Sequence, residues 1–195
     1  MEDIWQKYYQ TTQNRPPAKL LVKALAYLKT KDEALDLGAG ALNDSRYLIS
    51  QGFKKVTAID KENIPAHLID ALPANNFKFI KSELDKFDFP KNRFNLINAK
   101  YALPFNPPAT FNQMWLGLKN SLAPEGVFTG QLFGMQDEWN TDGAQKTFHS
   151  KEDALKLFSG MEILEFEEVE KDRKLADGTP KHWHLFNIIA RRIVA

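Results

Sequence analysis

The chain has 195 residues, 43% hydrophobic and 12% aromatic, which is enough for one domain with a full core and too apolar for a disordered chain. Its 26 Lys and Arg nearly balance its 25 Asp and Glu, so it lacks the basic excess of a protein that tracks a phosphate backbone, and no nucleic-acid partner is expected. The absence of cysteine excludes disulfides, thiolate metal sites and a cysteine nucleophile.

The N-terminus, Met1-Glu2-Asp3-Ile4-Trp5, is acidic and lacks the basic-then-apolar run of a signal peptide, and no apolar stretch spans a bilayer. The expected setting is therefore the cytoplasm, with no membrane partner. Residues 1–195 read as one domain, with 1–30 as an N-terminal lid and first helix. Leu20, Leu21, Ala24, Leu25 and Leu28 recur at helical spacing after Pro16-Pro17. Glu33 to Leu37 reads as a short buried strand ending in Gly38-Ala39-Gly40, and Ser45 to Ser50 as the next helix. Val56 to Asp60 is a second strand with an acidic end, and Ile64 to Leu72 a short helix. Phe77 to Ile80 and Phe94 to Asn98 are the third and fourth strands. Phe111, Trp115, Leu118 and Leu122 mark one helix face. Ala123-Pro124-Glu125-Gly126 is turn chemistry before a fifth strand, Val127 to Phe133. Lys151 to Phe158 is a helix with Ser150 as its N-cap and Asp153 three residues on.

The rhythm then changes. Met161 to Val169 and Trp183 to Val194 are both strand-like, and no helix separates them, so they pair as an antiparallel hairpin. Strands alternating with helices, followed by a hairpin, predict a mostly parallel α/β sheet with an antiparallel edge region.

In such a sheet the ligand lies beyond the carboxyl ends of the strands. The first strand-to-helix turn there reads Asp36-Leu37-Gly38-Ala39-Gly40-Ala41-Leu42-Asn43-Asp44, and its glycines permit close backbone approach. Asp60 ends the second strand, where a carboxylate can accept both hydroxyls of a ribose. Together these features point to an adenosine-type ligand. A dinucleotide site would put a third glycine where Asn43 stands. An acid before the first glycine also suits a cation better than a diphosphate.

Asp36-Leu37-Gly38-Ala39-Gly40, followed by Asn43-Asp44-Ser45-Arg46-Tyr47-Leu48, resembles motif I of class I S-adenosylmethionine-dependent methyltransferases, and within them is similar to the tellurite-resistance methyltransferase group. Asp60 matches that family's ribose-binding acid, and Ser82-Glu83-Leu84 the loop whose acid meets the adenine amino group. Phe94 to Leu103 matches motif IV, and the likeness covers nearly the whole chain. It implies a Rossmann-like, seven-stranded, mostly parallel sheet with helices on both faces and a C-terminal antiparallel hairpin. It also implies S-adenosylmethionine as cofactor, held by Asp36, Gly38, Gly40, Leu42, Ser45, Asp60, Glu83, Leu84 and Ala99, and a small-molecule acceptor bound by a monomer or homodimer. Two departures stand out: Leu42 occupies a position where the family often has glycine, and Asn95 one where motif IV often has aspartate.

Methyl transfer needs an aligned nucleophile, and a base only if the acceptor must lose a proton. His182 and His184 are the candidates on the acceptor side. They alternate to one face at the start of the last strand, with Trp183 on the other face against a helix. With His149 nearby they can orient an acceptor, act as base, or be hairpin-end histidines bonded to backbone; no third residue has the spacing of a metal site. Trp5, Tyr8, Tyr9 and Arg15 suggest a lid, in which Arg15 either pairs the cofactor carboxylate or stays solvated. Asn106-Pro107-Pro108-Ala109 lacks the aromatic of an amino-methylating motif and reads as a loop entering a helix. Two other readings stay open: an NAD-dependent oxidoreductase, and a non-catalytic module that binds S-adenosylmethionine.

Overall fold

From Ala34 onward β1 (Glu33–Leu37) is buried on both faces, as a central parallel strand must be. The computed structural model describes residues 9–175 and 178–194. Around β1 the sheet grows in both directions. On one side lie β2 (Lys55–Asp60) and then β3 (Phe77–Lys81), and on the other β4 (Phe94–Ala99) and β5 (Leu122–Gly134), all parallel. β8 (Pro180–Arg192) pairs antiparallel with β5, and β7 (Met161–Lys174) antiparallel with β8, giving the order β3-β2-β1-β4-β5-β8-β7. The short β6 (Phe148–His149) pairs with the end of β5 outside this path. This is the seven-stranded, mostly parallel sheet with an antiparallel hairpin that the sequence predicts.

Helices cover both faces. α1 (Lys19–Ala24), α2 (Asn43–Ser50) and α3 (Ala66–Asp70) contribute Leu21, Leu48 and Leu68 to one core layer. α4 (Pro108–Ser121) and α5 (Lys151–Leu157) contribute Phe111, Trp115 and Ala154 to the other. Of the expected helix face, Phe111, Trp115 and Leu118 are buried on α4 while Leu122 falls past its end as the first residue of β5, and Ser150 caps α5 by accepting from the Asp153 amide at 3.1 Å. Among the described residues, no helix is long and apolar enough to cross a membrane.

Three boundaries differ from expectation. The first helix stops as an α-helix at Ala24 and closes with a 3-10 turn, so Leu28 is extended. Ala123 to Gly126 does not interrupt the sheet. β5 begins at Leu122 and absorbs the segment as a register shift against β4, with Glu125 in left-handed backbone. The hairpin strands are each longer than their apolar runs suggest, reaching Lys174 and starting at Pro180.

Candidate active site

The carboxyl ends of the parallel strands open on a cleft of about 900 Å³, where the loops after β1 to β4 meet the start of β8. This is the topological position at which open α/β sheets bind ligands.

The floor is the loop after β1. Residues 38, 40 and 42 all take left-handed backbone, with φ of 66° at Gly38, 50° at Gly40 and 60° at Leu42. A Cβ on Gly38 would stand 2.8 Å from the Ala102 Cβ, so glycine is needed there for packing as well as for φ. Gly38 donates its N–H to the Ile59 carbonyl at 2.8 Å, and Gly40 donates to Asp60 Oδ2 at 2.9 Å. Asp60 Oδ1 accepts from the Glu62 amide at 3.0 Å. The β2 carboxylate thus shapes the glycine loop as well as facing the cleft.

Beneath the loop lies a buried polar network. Asp36 accepts from Ser45 Oγ at 2.6 Å and from Asn98 Nδ2 at 2.8 Å. The same amide donates to Asp44 Oδ2 at 3.1 Å, and Asp44 Oδ1 accepts the Ala18 N–H at 2.8 Å. Burial, reinforced by the neighbouring Asp44 carboxylate, pushes Asp36 up to about 7. The N-terminal segment is fastened across this network. Besides Ala18, the Thr12 carbonyl accepts from Asn43 Nδ2 at 2.8 Å and the Gln13 carbonyl accepts from Arg46. Tyr9 and Arg15 line the cleft, whereas Trp5 and Tyr8 lie outside the described residues.

At the β2 and β3 end, Ser82, Glu83, Leu84 and Asp85 form a wall. Glu83 pairs with Lys86 at 2.5 Å. Of the predicted cofactor residues, Arg15, Asp36, Gly38, Gly40, Asp60, Glu83 and Leu84 come together on the cleft. Leu42, Ser45 and Ala99 are fully buried and do not line it. Leu42 turns its side chain into the core, Ser45 stands behind Asp36, and Ala99 packs in the other core layer against Gly130. Asn95 lies far from the cleft: its Oδ1 accepts from the Asp32 and Glu33 amides at the opposite end of β1, so no charge is lost at the site. The residue of β4 that serves the site is Asn98.

At the β8 end the expected alternation holds, but the faces are exchanged. Trp183 and Leu185 line the cleft, while His182 and His184 point to the other side of the hairpin. His184 is buried. Its Nδ1 accepts from the Gln136 amide at 3.1 Å and its Nε2 meets Glu168 at 3.1 Å, so both ring nitrogens are engaged. His182 stands between Asp172 at 2.8 Å and Glu170 at 3.2 Å, and the Asp172 carboxylate raises its pKa. His149 packs its ring on Phe111, and burial lowers it to about 4. Among the described residues no group of acids and histidines could hold a metal ion.

The cleft side of β8 is aromatic. Trp183 meets Tyr101 at 5.6 Å between ring centroids, and packs on Trp139 at 5.4 Å. Tyr101, 39% exposed, sits at φ 51° with its N–H held by Gln131 Oε1 at 3.1 Å. Phe105, 45% exposed, continues the wall, and Asn106 and Pro107 line the cleft beside it. The Asn-Pro-Pro run does enter a helix, α4 starting at Pro108, but its first two residues belong to the site. Under Trp183 the Lys181 Nζ is 2.5 Å from Asp137 Oδ1 and 3.9 Å from the Trp183 ring centre, a fully buried ion pair boxed by aromatics.

No family model and no curated protein matches the sequence. The fold, however, matches solved structures over almost the whole chain. TehB from Haemophilus influenzae superposes with a TM-score of 0.74 at 18% identity, over 98% of this chain and 66% of that one. The Burkholderia thailandensis 1,6-didemethyltoxoflavin-N1-methyltransferase, solved with 1,6-didemethyltoxoflavin and S-adenosylhomocysteine bound, gives 0.69 at 20% identity, over 99% of this chain and 82% of that one. The cyclase SpnF gives 0.67 at 14% identity, over 91% and 81%. The chain has the fold of class I S-adenosylmethionine-dependent methyltransferases.

Proposed function

We propose that this cleft binds S-adenosylmethionine and that the protein transfers the methyl group to a small-molecule acceptor. The observation that carries the reading is the charge around the glycine loop. Asp60 lines the cleft there, Asp36 and Asp44 underlie it as a buried pair, and the position of a third glycine is taken by Asn43. A diphosphate would meet carboxylates at that spot, whereas a sulfonium and an ammonium are favoured.

Each Asp60 oxygen accepts one backbone N–H and keeps a further lone pair for a ribose hydroxyl. Glu83 suits the adenine amino group and Leu84 the ring beside it. Gly38 and Gly40 let the backbone approach, the Asp36–Asp44 pair suits the cationic end, and Arg15 the cofactor carboxylate. Leu42, Ser45 and Ala99 shape the wall from behind. When bound, the sulfonium supplies a methyl group to an in-line nucleophile and leaves as a neutral thioether. Positioning supplies most of the acceleration in such a displacement, so the residues that count are those that orient the acceptor: Tyr101, Phe105 and Trp183.

The Burkholderia enzyme, holding a small molecule together with S-adenosylhomocysteine, supports this reading, while SpnF makes clear that the fold is not confined to one reaction. Two measurements therefore test it. Calorimetry should detect S-adenosylmethionine and S-adenosylhomocysteine and no NAD. Label should then pass from methyl-labelled S-adenosylmethionine to a member of a metabolite panel. Heat with NAD alone would overturn the cofactor; binding without any transfer would favour the non-catalytic module.

A further inference from the structure

The cleft has a charge gradient along the strand order. At its β1 to β3 end Asp36, Asp44, Asp60, Glu83 and Asp85 outnumber Arg15 and Lys61, and at the far end the tip of β7 offers Lys171, Arg173 and Lys174. In Glu168-Val169-Glu170-Lys171-Asp172-Arg173 every second residue is an acid, with Val, Lys and Arg between, and a strand sends alternate residues to opposite faces. Pairing with β8 makes the consequence visible. Glu168, Glu170 and Asp172 meet His184 and His182 behind the hairpin. Lys171 lies opposite Trp183 and Arg173 opposite Lys181, on the cleft side. Among the described residues neither Lys171 nor Arg173 has a carboxylate within ion-pair distance, although acids flank both in sequence.

These cations line the same cleft as the partly exposed Tyr101 and Phe105, and Arg173 is near enough to Tyr101 to act on its hydroxyl electrostatically. The 5.6 Å between the Tyr101 and Trp183 ring centres leaves no room for a ring between them, so a flat ligand would lie on the open aromatic face rather than be sandwiched. Building on the proposed cofactor reading, we infer that the acceptor is a planar aromatic compound bearing an anionic group, its ring against Tyr101 and Phe105 and its anion on Lys171 and Arg173. A neutral or cationic acceptor would leave these two cations without a partner at the mouth of the site, and the alternation that steers every acid of this stretch to the back would serve no purpose.

The test uses saturation-transfer NMR on the whole protein, with and without S-adenosylhomocysteine, against matched sets: aryl carboxylates, aryl phosphates, the corresponding neutral amides, and cyclohexane carboxylates. Aryl anions should bind at least about tenfold more tightly than their amides and than the cyclohexane acids. The carboxylate and phosphate arms identify the anion. Lys171→Gln with Arg173→Gln should weaken aryl-anion binding about tenfold and leave S-adenosylhomocysteine affinity unchanged, and charge reversal to Glu should abolish it. Equal binding of amides and anions, no binding by any aryl anion, or indifference to both double variants would overturn the inference. A protein that binds aryl anions but no S-adenosylhomocysteine would overturn the cofactor reading instead, so the two fail separately.

Discussion

Asp36 and Asp44 share one amide: Asn98 Nδ2 donates to both carboxylates, at 2.8 Å and 3.1 Å, in a buried network under the glycine loop. Burial, with the Asp44 carboxylate close by, lifts Asp36 to about 7. The folded state therefore binds more protons than the unfolded chain between the ordinary aspartate value and about 7. Stability of the ligand-free protein should fall as pH rises through that window and level off above it. Asp36→Asn should flatten that slope in urea titrations. A cation in the site favours the ionised pair, so S-adenosylmethionine should bind more tightly as pH rises through about 7 and release protons on binding. Calorimetry in buffers of different ionisation enthalpy reads this directly; proton uptake would contradict it.

Asp60 has a double load under the proposed function, since it holds the Gly40 and Glu62 amides and lines the cleft where the ribose is proposed to bind. Asp60→Ala should cost about 1 kcal/mol of stability for the lost loop bonds. Its effect on S-adenosylhomocysteine should be larger, a loss of roughly ten- to a hundredfold in affinity if both hydroxyls are released. An unchanged dissociation constant would place the ribose elsewhere.

Leu42 sets two effects against each other. Its left-handed backbone costs a non-glycine residue about 1–2 kcal/mol, which glycine would recover. Its side chain is fully buried, and emptying such a site costs about 2.7–5 kcal/mol. The packing loss is the larger, so Leu42→Gly should destabilise by roughly 1–4 kcal/mol even though glycine suits the backbone better. A gain in stability on chemical denaturation would show that strain dominates.

His184 lies over Gly134 so closely that a Cβ there would stand 2.1 Å from its Nδ1. His184→Ala should lower stability by removing a buried hydrogen-bonded ring, and leave the cofactor dissociation constant unchanged because the ring is on the far side of the hairpin. Gly134→Ala should be severely destabilising alone and far less so in the His184→Ala background, a coupling that a double-mutant cycle measures. Additive effects would mean that the two do not share this space.

The succession of strands and helices, the glycine turn and the strand-end Asp60 are legible because each rests on local pattern: apolar runs, glycines after a strand, an acid at a strand end. The strand order β3-β2-β1-β4-β5-β8-β7 is not, being set by long-range pairing. The failures are of a different kind. Period two says that His182 and His184 share a face, but not which face meets the ligand; that depends on how β7 and β8 dock against β5, a long-range property. The signal that could have settled it was the alternating charge of residues 168–173, which puts acids opposite the histidines and leaves lysine and arginine beside Trp183. Leu42, Ser45 and Ala99 match the motif by position, and motif position does not distinguish a residue on the wall from one supporting it. Tyr101 and Phe105 lie in a loop with no periodicity to read, and their exposure emerges only in the folded chain.

The buried pair beneath the aromatic wall gives the last test. Lys181 and Asp137 have almost no side-chain exposure, 1% and 0%, and the ammonium faces the rings of Trp139 and Trp183 at 4.3 Å and 3.9 Å. Burial lowers the Lys181 pKa, and the hydrogen bond to Asp137 opposes this. Replacing one partner leaves the other buried without compensation, so Lys181→Met or Asp137→Leu alone should cost about 3–5 kcal/mol. Replacing both removes the unpaired charge, and the double variant should be more stable than either single one. The functional readout is separate. Because Lys181 fixes Trp183 from below, the double variant should fold, bind S-adenosylhomocysteine as before, and show altered Trp183 packing, seen as a shift in tryptophan emission and weaker binding of an aromatic ligand. If the double variant keeps wild-type emission and aromatic-ligand affinity, the pair contributes to stability alone and Trp183 is positioned by its ring contacts with Tyr101 and Phe133.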